Sequence, residues 1–259
     1  MRVFILVVVF ILVFPSIVIA SDFEVVFDDA NSLIGVSYLS DTTKQIKVKI
    51  SNGQNSVIYD VDTVPNNWFS LSLGTGRYEI EGFIQIEGNR YKRIHSSSYL
   101  LKDDSNVFLN SNKIIHWQKI PYITELSNRV VDKEDSDIIK ARKIYEYVVK
   151  TYNYDYTKAQ MVTSKYHPDL SIVAKADSLI CYDYAVLVAS LLRAQNIPTK
   201  VVFGYGTEFS GYHAWNEIYI DGQGWITVDT TIDAQLYRSN KLPNTMKKDN
   251  RDYKIKYVI

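Results

Sequence analysis

Cys181 is the only cysteine in the 259-residue chain, and it heads an alanine- and leucine-rich stretch, "CYDYAVLVASLLRA". A thiol becomes a useful nucleophile as thiolate, a form favoured by the positive end of a helix and by an imidazole able to take the proton. Residues 185–194 predict a helix that ends at Ile197-Pro198, with Cys181 at its start. Unpaired backbone N–H groups point toward the sulfur there, and one of them can serve an oxyanion. Of the four histidines, only His213 falls on a strand that follows this helix, in "YHAWNEIYI". Asp229, in the next strand-like run "GWITVDTTI", is an acceptor able to orient that imidazole. Whether the two side chains meet is a matter of parity. An odd number of residues in the connecting loop puts them on one face, an even number on opposite faces. Glycine supplies the left-handed residue that three-residue hairpin loops use, so Asp221-Gly222-Gln223 predicts the odd case. Ile220 then pairs with Gly224, Trp215 lies opposite Asp229, and His213 is the diagonal neighbour of Asp229.

The remaining chemistry-bearing residues read more blandly. Asp183 is a charge suited to a helix amino terminus, and Arg193 is expected to bind carbonyls or carboxylates near the helix end. Trp215 either roofs the His213–Asp229 pair or belongs to the core. Tyr154 and Tyr156 are two candidate donors to an oxyanion. His95 is expected on a solvated strand, and His116 and His167 lack partners at ligand spacing, so neither a metal nor a cofactor site is predicted.

The elements that position these residues fall into two textures. From residue 22 to about 112, short strands alternate with glycine and asparagine turns. "QIKVKI" sets Ile46, Val48 and Ile50 on one face, and "RYEIEGFIQI" does the same with Tyr78, Ile80, Gly82, Ile84 and Ile86. This predicts a small immunoglobulin-like β-sandwich over residues 21–114, without the cysteine–tryptophan–cysteine core. Residues 115–259 read differently. A helical stripe of Ile138, Ala141, Tyr145, Val148 and Tyr152 precedes the Cys181 helix; "TKVVFGY" and the runs holding His213 and Asp229 follow it. A helix followed by an antiparallel sheet is an α+β arrangement. The terminal "DYKIKYVI" alternates Tyr253, Ile255 and Tyr257 and reads as a closing strand.

Twenty-nine basic residues balance twenty-nine acidic ones, so no global field draws the chain to nucleic acid or anionic lipid. The first twenty residues are almost wholly apolar behind Arg2. Val3 to Phe14 has the length of a signal-peptide core, Pro15 and Ser16 break it, and Val18 and Ala20 occupy the −3 and −1 positions of a cleavage site. An uncleaved anchor is the competing reading. Either way the chain is expected outside the cytoplasm, secreted or in the cell envelope. An unpaired cysteine there is either a reactive thiol or half of an intermolecular bridge, unless it is simply buried and inert.

"CYDYAVLVASLLRAQNIPTKVVFGY" followed by "HAWNEIYIDGQGWITVDTT" resembles the transglutaminase-like superfamily of papain-type thiol enzymes, and "KIYEYVVKTYNYDY" resembles the helix and tyrosine-bearing segment upstream. The likeness covers about residues 120–235. It implies Cys181 as nucleophile, His213 as general base and acid, and Asp229 as orienter. It also matches Trp215 and Trp225 to the aromatic positions of the family's histidine and aspartate motifs. Leu179 departs from the pattern, since many members carry glycine two residues before the cysteine. The implied function is thiol-dependent acyl transfer on amide or peptide bonds of a protein or peptide substrate, by hydrolysis or by transamidation. A non-catalytic envelope module that binds through the same fold is the second reading.

Overall fold

The computed structural model describes residues 22–63, 67–163, 165–241 and 245–259; the apolar amino-terminal segment lies outside them. Strands β1 (Phe23–Asp28), β2 (Leu33–Tyr38), β3 (Ile46–Ser51), β4 (Ser56–Val61), β5 (Asn67–Ser70), β6 (Gly76–Glu87) and β7 (Arg90–Leu101) build two antiparallel sheets, ordered β1-β2-β5 and β4-β3-β6-β7. The period-two residues of both sheets face one core: Ile46, Val48 and Ile50 of β3 meet Ile34 and Val36 of β2, with Phe69, Tyr78 and Ile80 around them. The alternation in β6 outlasts the core. Ile86 is 51% exposed because the β6–β7 hairpin runs past the end of the sandwiched layers. His95 is not a solvated strand residue. It is half-buried under Phe23, with ring centroids 5.1 Å apart, and burial pushes its imidazole down.

Helices dominate the next stretch: α1 (Pro121–Val130), α2 (Asp137–Thr151), then β8 (Asn153–Tyr154), α3 (Tyr156–Met161), α4 (Leu170–Val173), β9 (Ser178–Leu179) and α5 (Cys181–Arg193). The α2 stripe buries Ala141, Tyr145 and Val148 as its periodicity requires. Helix α5 is buried on nearly all sides, from Asp183 to Arg193. Against it lies an antiparallel sheet ordered β12-β11-β10-β13, formed by β10 (Thr199–Gly206), β11 (His213–Ile220), β12 (Gly224–Val228) and β13 (Tyr253–Val258). Asn216 fastens helix to sheet, its amide donating to the Ala185 carbonyl at 2.9 Å and the Lys200 carbonyl at 3.0 Å. Arg193 is 2% exposed and donates to the carbonyls of Thr199 and Asn110. Its role is to hold chain crossings together. No helix among the described residues is long and apolar enough to cross a membrane.

One stretch departs from the sequence reading. "GWITVDTTI" is not a single strand: β12 ends at Val228, and α6 (Thr230–Arg238) starts directly after Asp229. The aspartate is the helix cap, its Oδ1 accepting from the Ile232 N–H at 3.1 Å. That capping bond is what ends the strand. The β11–β12 hairpin does carry a three-residue turn, Ile220 pairing with Gly224, and Gly222 takes the left-handed conformation at φ 73°.

Candidate active site

Cys181 is the first residue of α5, placed there by the short parallel pairing of β8 with β9. The Leu179 position, where a glycine was the family expectation, is an ordinary strand residue. Its side chain is fully buried, and its carbonyl accepts from the Asp155 N–H at 2.9 Å. Its φ is not among the positive values, so the backbone does not call for glycine here. Asp183, one turn into the helix, accepts the Ile180 N–H at 3.0 Å and pairs with Lys158 Nζ at 2.6 Å, while the Tyr166 hydroxyl donates to its other oxygen. A fully buried carboxylate thereby satisfies a helix-start N–H and locks the turn that carries the thiol.

His213 opens β11, and its Nε2 meets Asp229 Oδ2 at 2.8 Å in surroundings where both groups are buried. The turn parity makes this possible. The β11–β12 ladder closes at Asn216–Val228, and continuing its register puts Asp229 across from Trp215, diagonal to His213. With Nε2 committed to the carboxylate, Nδ1 is the nitrogen left for the Cys181 side, and both residues line the same two cavities. Burial alone would push the imidazole down; the Asp229 charge and hydrogen bond, together with the neighbouring Cys181, outweigh it and push the pKa up to about 10.

Two residues at this site were not singled out by the sequence. Tyr253 of β13 donates its hydroxyl to the same Asp229 oxygen at 3.2 Å. Burial, and then the Asp229 charge, hold that phenol well above its usual range. The expected alternation of Tyr253, Ile255 and Tyr257 on one face is broken by a bulge: Phe203 pairs with Tyr257, but the next residue, Gly204, pairs with Ile255. Tyr257 therefore shares a face with Phe203, and Tyr253 shares the opposite face with His213. Gly204 is the residue that admits the bulge, since a Cβ there would sit 2.1 Å from the Lys254 carbonyl oxygen. The second residue is Phe209, in the β10–β11 loop, whose ring lies 4.2 Å from the His213 ring. It covers the His213–Asp229–Tyr253 group together with buried Trp215. A lone aromatic in the polar loop "GTEFSG" was the available signal.

The two tyrosine candidates separate. Tyr154 lines both cavities beside Cys181, and burial with the adjacent Cys181 pushes its phenol up to about 12. Tyr156 is 64% exposed, and its hydroxyl is engaged with Gln235 at 3.0 Å. Trp225 lies away from the site, under Lys200 Nζ at 3.8 Å and edge-on to Phe108. His167 faces the Tyr182 hydroxyl at 3.3 Å, and no group of three His, Cys, Asp or Glu side chains suited to a metal ion occurs among the described residues.

Residues 124–230 match the family model described as transglutaminase-like superfamily. No curated protein matches the chain. Among solved structures, a Cytophaga hutchinsonii protein named provisionally as a cysteine protease is similar at 17% identity and TM-score 0.44, over 85% of this chain and 90% of that one. LapG of Legionella pneumophila is similar at 14% identity and TM-score 0.40, over 54% and 80%. The periplasmic domain of TgpA from Pseudomonas aeruginosa is similar at 14% identity and TM-score 0.38, over 78% and 91%.

Proposed function

We propose, from the match of residues 124–230 to the transglutaminase-like superfamily model, that the chain is an exported thiol enzyme that transfers acyl groups from amide or peptide bonds. The observation that carries the reading is one imidazole held between a buried carboxylate and a thiol at the start of a helix.

The Cys181 thiolate attacks the carbonyl carbon, and the carbonyl electron pair moves onto oxygen. The Cys181 backbone N–H and the Tyr154 hydroxyl, which lines both cavities with Cys181, are assigned as the donors to that oxyanion. As the tetrahedral adduct collapses, the C–N bond breaks and His213, protonated at neutral pH, gives its proton to the departing amine. The thioester on Sγ then accepts water, or a second amine, whose proton returns to His213 as the thiolate leaves. Asp229 keeps the ring oriented and favours the imidazolium in both steps. Water yields hydrolysis and an amine yields transamidation; the acceptor alone divides them. The two amino-terminal sheets, read as an immunoglobulin-like sandwich, would position the enzyme or bind a polymeric substrate.

An activated ester tests the reading without knowledge of the natural substrate. p-Nitrophenyl acetate is expected to acetylate Cys181, visible by intact mass, and to turn over. His213→Ala is expected to slow both steps by about 10²-fold or more. Equal acylation in the wild type and His213→Ala would favour the non-catalytic binding module. Casein with a labelled primary amine then distinguishes cleavage from incorporation.

A further inference from the structure

Cys181 stands between two cavities of opposite character. One, of about 410 Å³, is walled by Val162, Tyr166, Tyr182, Phe203, Tyr212 and Tyr257. The other, of about 640 Å³, carries Glu208, Lys241, Gln160, Gln235 and Ser210. The aromatic wall is a connected stack. Tyr182 packs edge-on to Phe203 at 4.9 Å, and Phe203 lies flat on Tyr257 at 4.4 Å. Phe203 also stacks on Tyr212 at 6.2 Å, and Tyr212 continues to the exposed Tyr205.

The phenol groups of this wall are already occupied. Tyr166 donates to Asp183, Tyr182 faces His167, and Tyr212 and Tyr257 engage each other. The wall therefore offers ring faces rather than hydroxyls. Among the described residues, and apart from the catalytic His213, its lining holds no ionisable group other than tyrosine and Cys181. A cationic side chain entering it would lose water without gaining a partner, and a carboxylate would find only His213, already paired with Asp229. An aromatic or large aliphatic side chain would bury its whole surface against rings.

The two cavities also suit the two halves of the substrate differently. The acyl half stays on the enzyme through the thioester stage, so it gains from an apolar hold. The amine half must leave and admit water or an acceptor, and the polar cavity, rimmed by exposed Glu208 and Ser210, allows that exchange. We propose that the acyl donor is a peptide or protein segment with an aromatic or large aliphatic residue at one of the two positions on the acyl side of the attacked carbonyl, seated in the Tyr182–Phe203–Tyr257 cavity. This rests on the thiol-enzyme reading above.

The test uses the full chain and dipeptidyl acyloxymethyl ketones, in which Sγ forms a bond to the methylene carbon and a carboxylate departs. Five capped probes share that warhead: Ala-Ala, Phe-Ala, Ala-Phe, Asp-Ala and Ala-Asp. Iodoacetamide, which needs no side-chain pocket, reports the thiol alone. A Phe probe is expected to inactivate roughly tenfold faster or more than Ala-Ala, and the Asp probes no faster than Ala-Ala. Val162→Glu, at a half-exposed position, is expected to abolish the Phe advantage, read as the ratio of the Phe-probe to the Ala-Ala rate within that variant. Tyr212→Ala, at a residue 52% exposed, is expected to reduce the advantage, read by the same ratio. Five equal probe rates with a fast, His213-dependent iodoacetamide rate would overturn the pocket proposal and leave the thiol enzyme standing. A slow iodoacetamide rate indifferent to His213→Ala would overturn both.

Discussion

At the scale of single residues, the site depends on one carboxylate serving three partners. Asp229 caps α6 with Oδ1 and receives His213 and Tyr253 on Oδ2. Tyr253→Phe removes a donor that shares the Asp229 charge, so more of that charge acts on the imidazolium. The alkaline limb of the activity profile is then expected to move up, accompanied by a loss of about 1–3 kcal/mol in stability. A purely structural tyrosine would lower Tm and leave the limb in place. His213 has a linked effect on folding. Its folded pKa of about 10 lies above the unfolded value of about 6.5, so its contribution is complete below about pH 6.5 and is lost as the pH rises toward 10. Urea unfolding at pH 6 and pH 10 is expected to differ less in His213→Ala than in the wild type; an equal difference would contradict this. The place of Cys181 at the helix start and the His213–Asp229 contact were legible because residue type, helix start and hairpin parity each point to them. Tyr253 was not, because a one-residue bulge reverses the face on which a period-two pattern places it.

At the scale of elements, the decisive pieces are short. Two two-residue strands, β8 and β9, fix the entry to α5, and Asp183 with Lys158 locks its first turn. Leu179 shows that this entry is held by burial. Leu179→Gly, although it restores the residue common in the family, is expected to destabilise the fold by about 3–5 kcal/mol through the cavity it leaves. Unchanged urea unfolding would contradict that assignment. The α2 stripe and the β3 alternation were readable because each buries one face against one neighbour. Helix α6 was hidden in "VDTTI", whose β-branched residues favour a strand. A local capping bond, the Ile232 N–H donating to Asp229 Oδ1 three residues earlier, decides for the helix.

At the scale of the whole molecule, the amino-terminal sheets and the helical region share material. Tyr59 of β4 stacks on Phe69 at 4.6 Å and packs against both hydrophobic cores. Lys113 crosses the junction, with Nζ 3.0 Å from Asp62, and Ser72 donates to the Val258 carbonyl at 3.0 Å. The chain is therefore expected to melt in one calorimetric transition, lowered as a unit by Tyr59→Ala at a cost of about 3 kcal/mol. Two transitions, with only one of them moved, would contradict a shared core. Composition and turn spacing announced the two textures of the chain. They did not announce this contact, which joins residues far apart in sequence.

The central claim is that His213, held by Asp229, activates Cys181, and the pH dependence of Cys181 alkylation by iodoacetamide tests it most directly. The wild type is expected to react fast across neutral pH, with a second change near pH 10 as His213 loses its proton. Asp229→Asn should move that change downward. His213→Ala should react slowly at pH 7 and show no change near pH 10. The same pH–rate profile in all three proteins would show Cys181 to be a bystander.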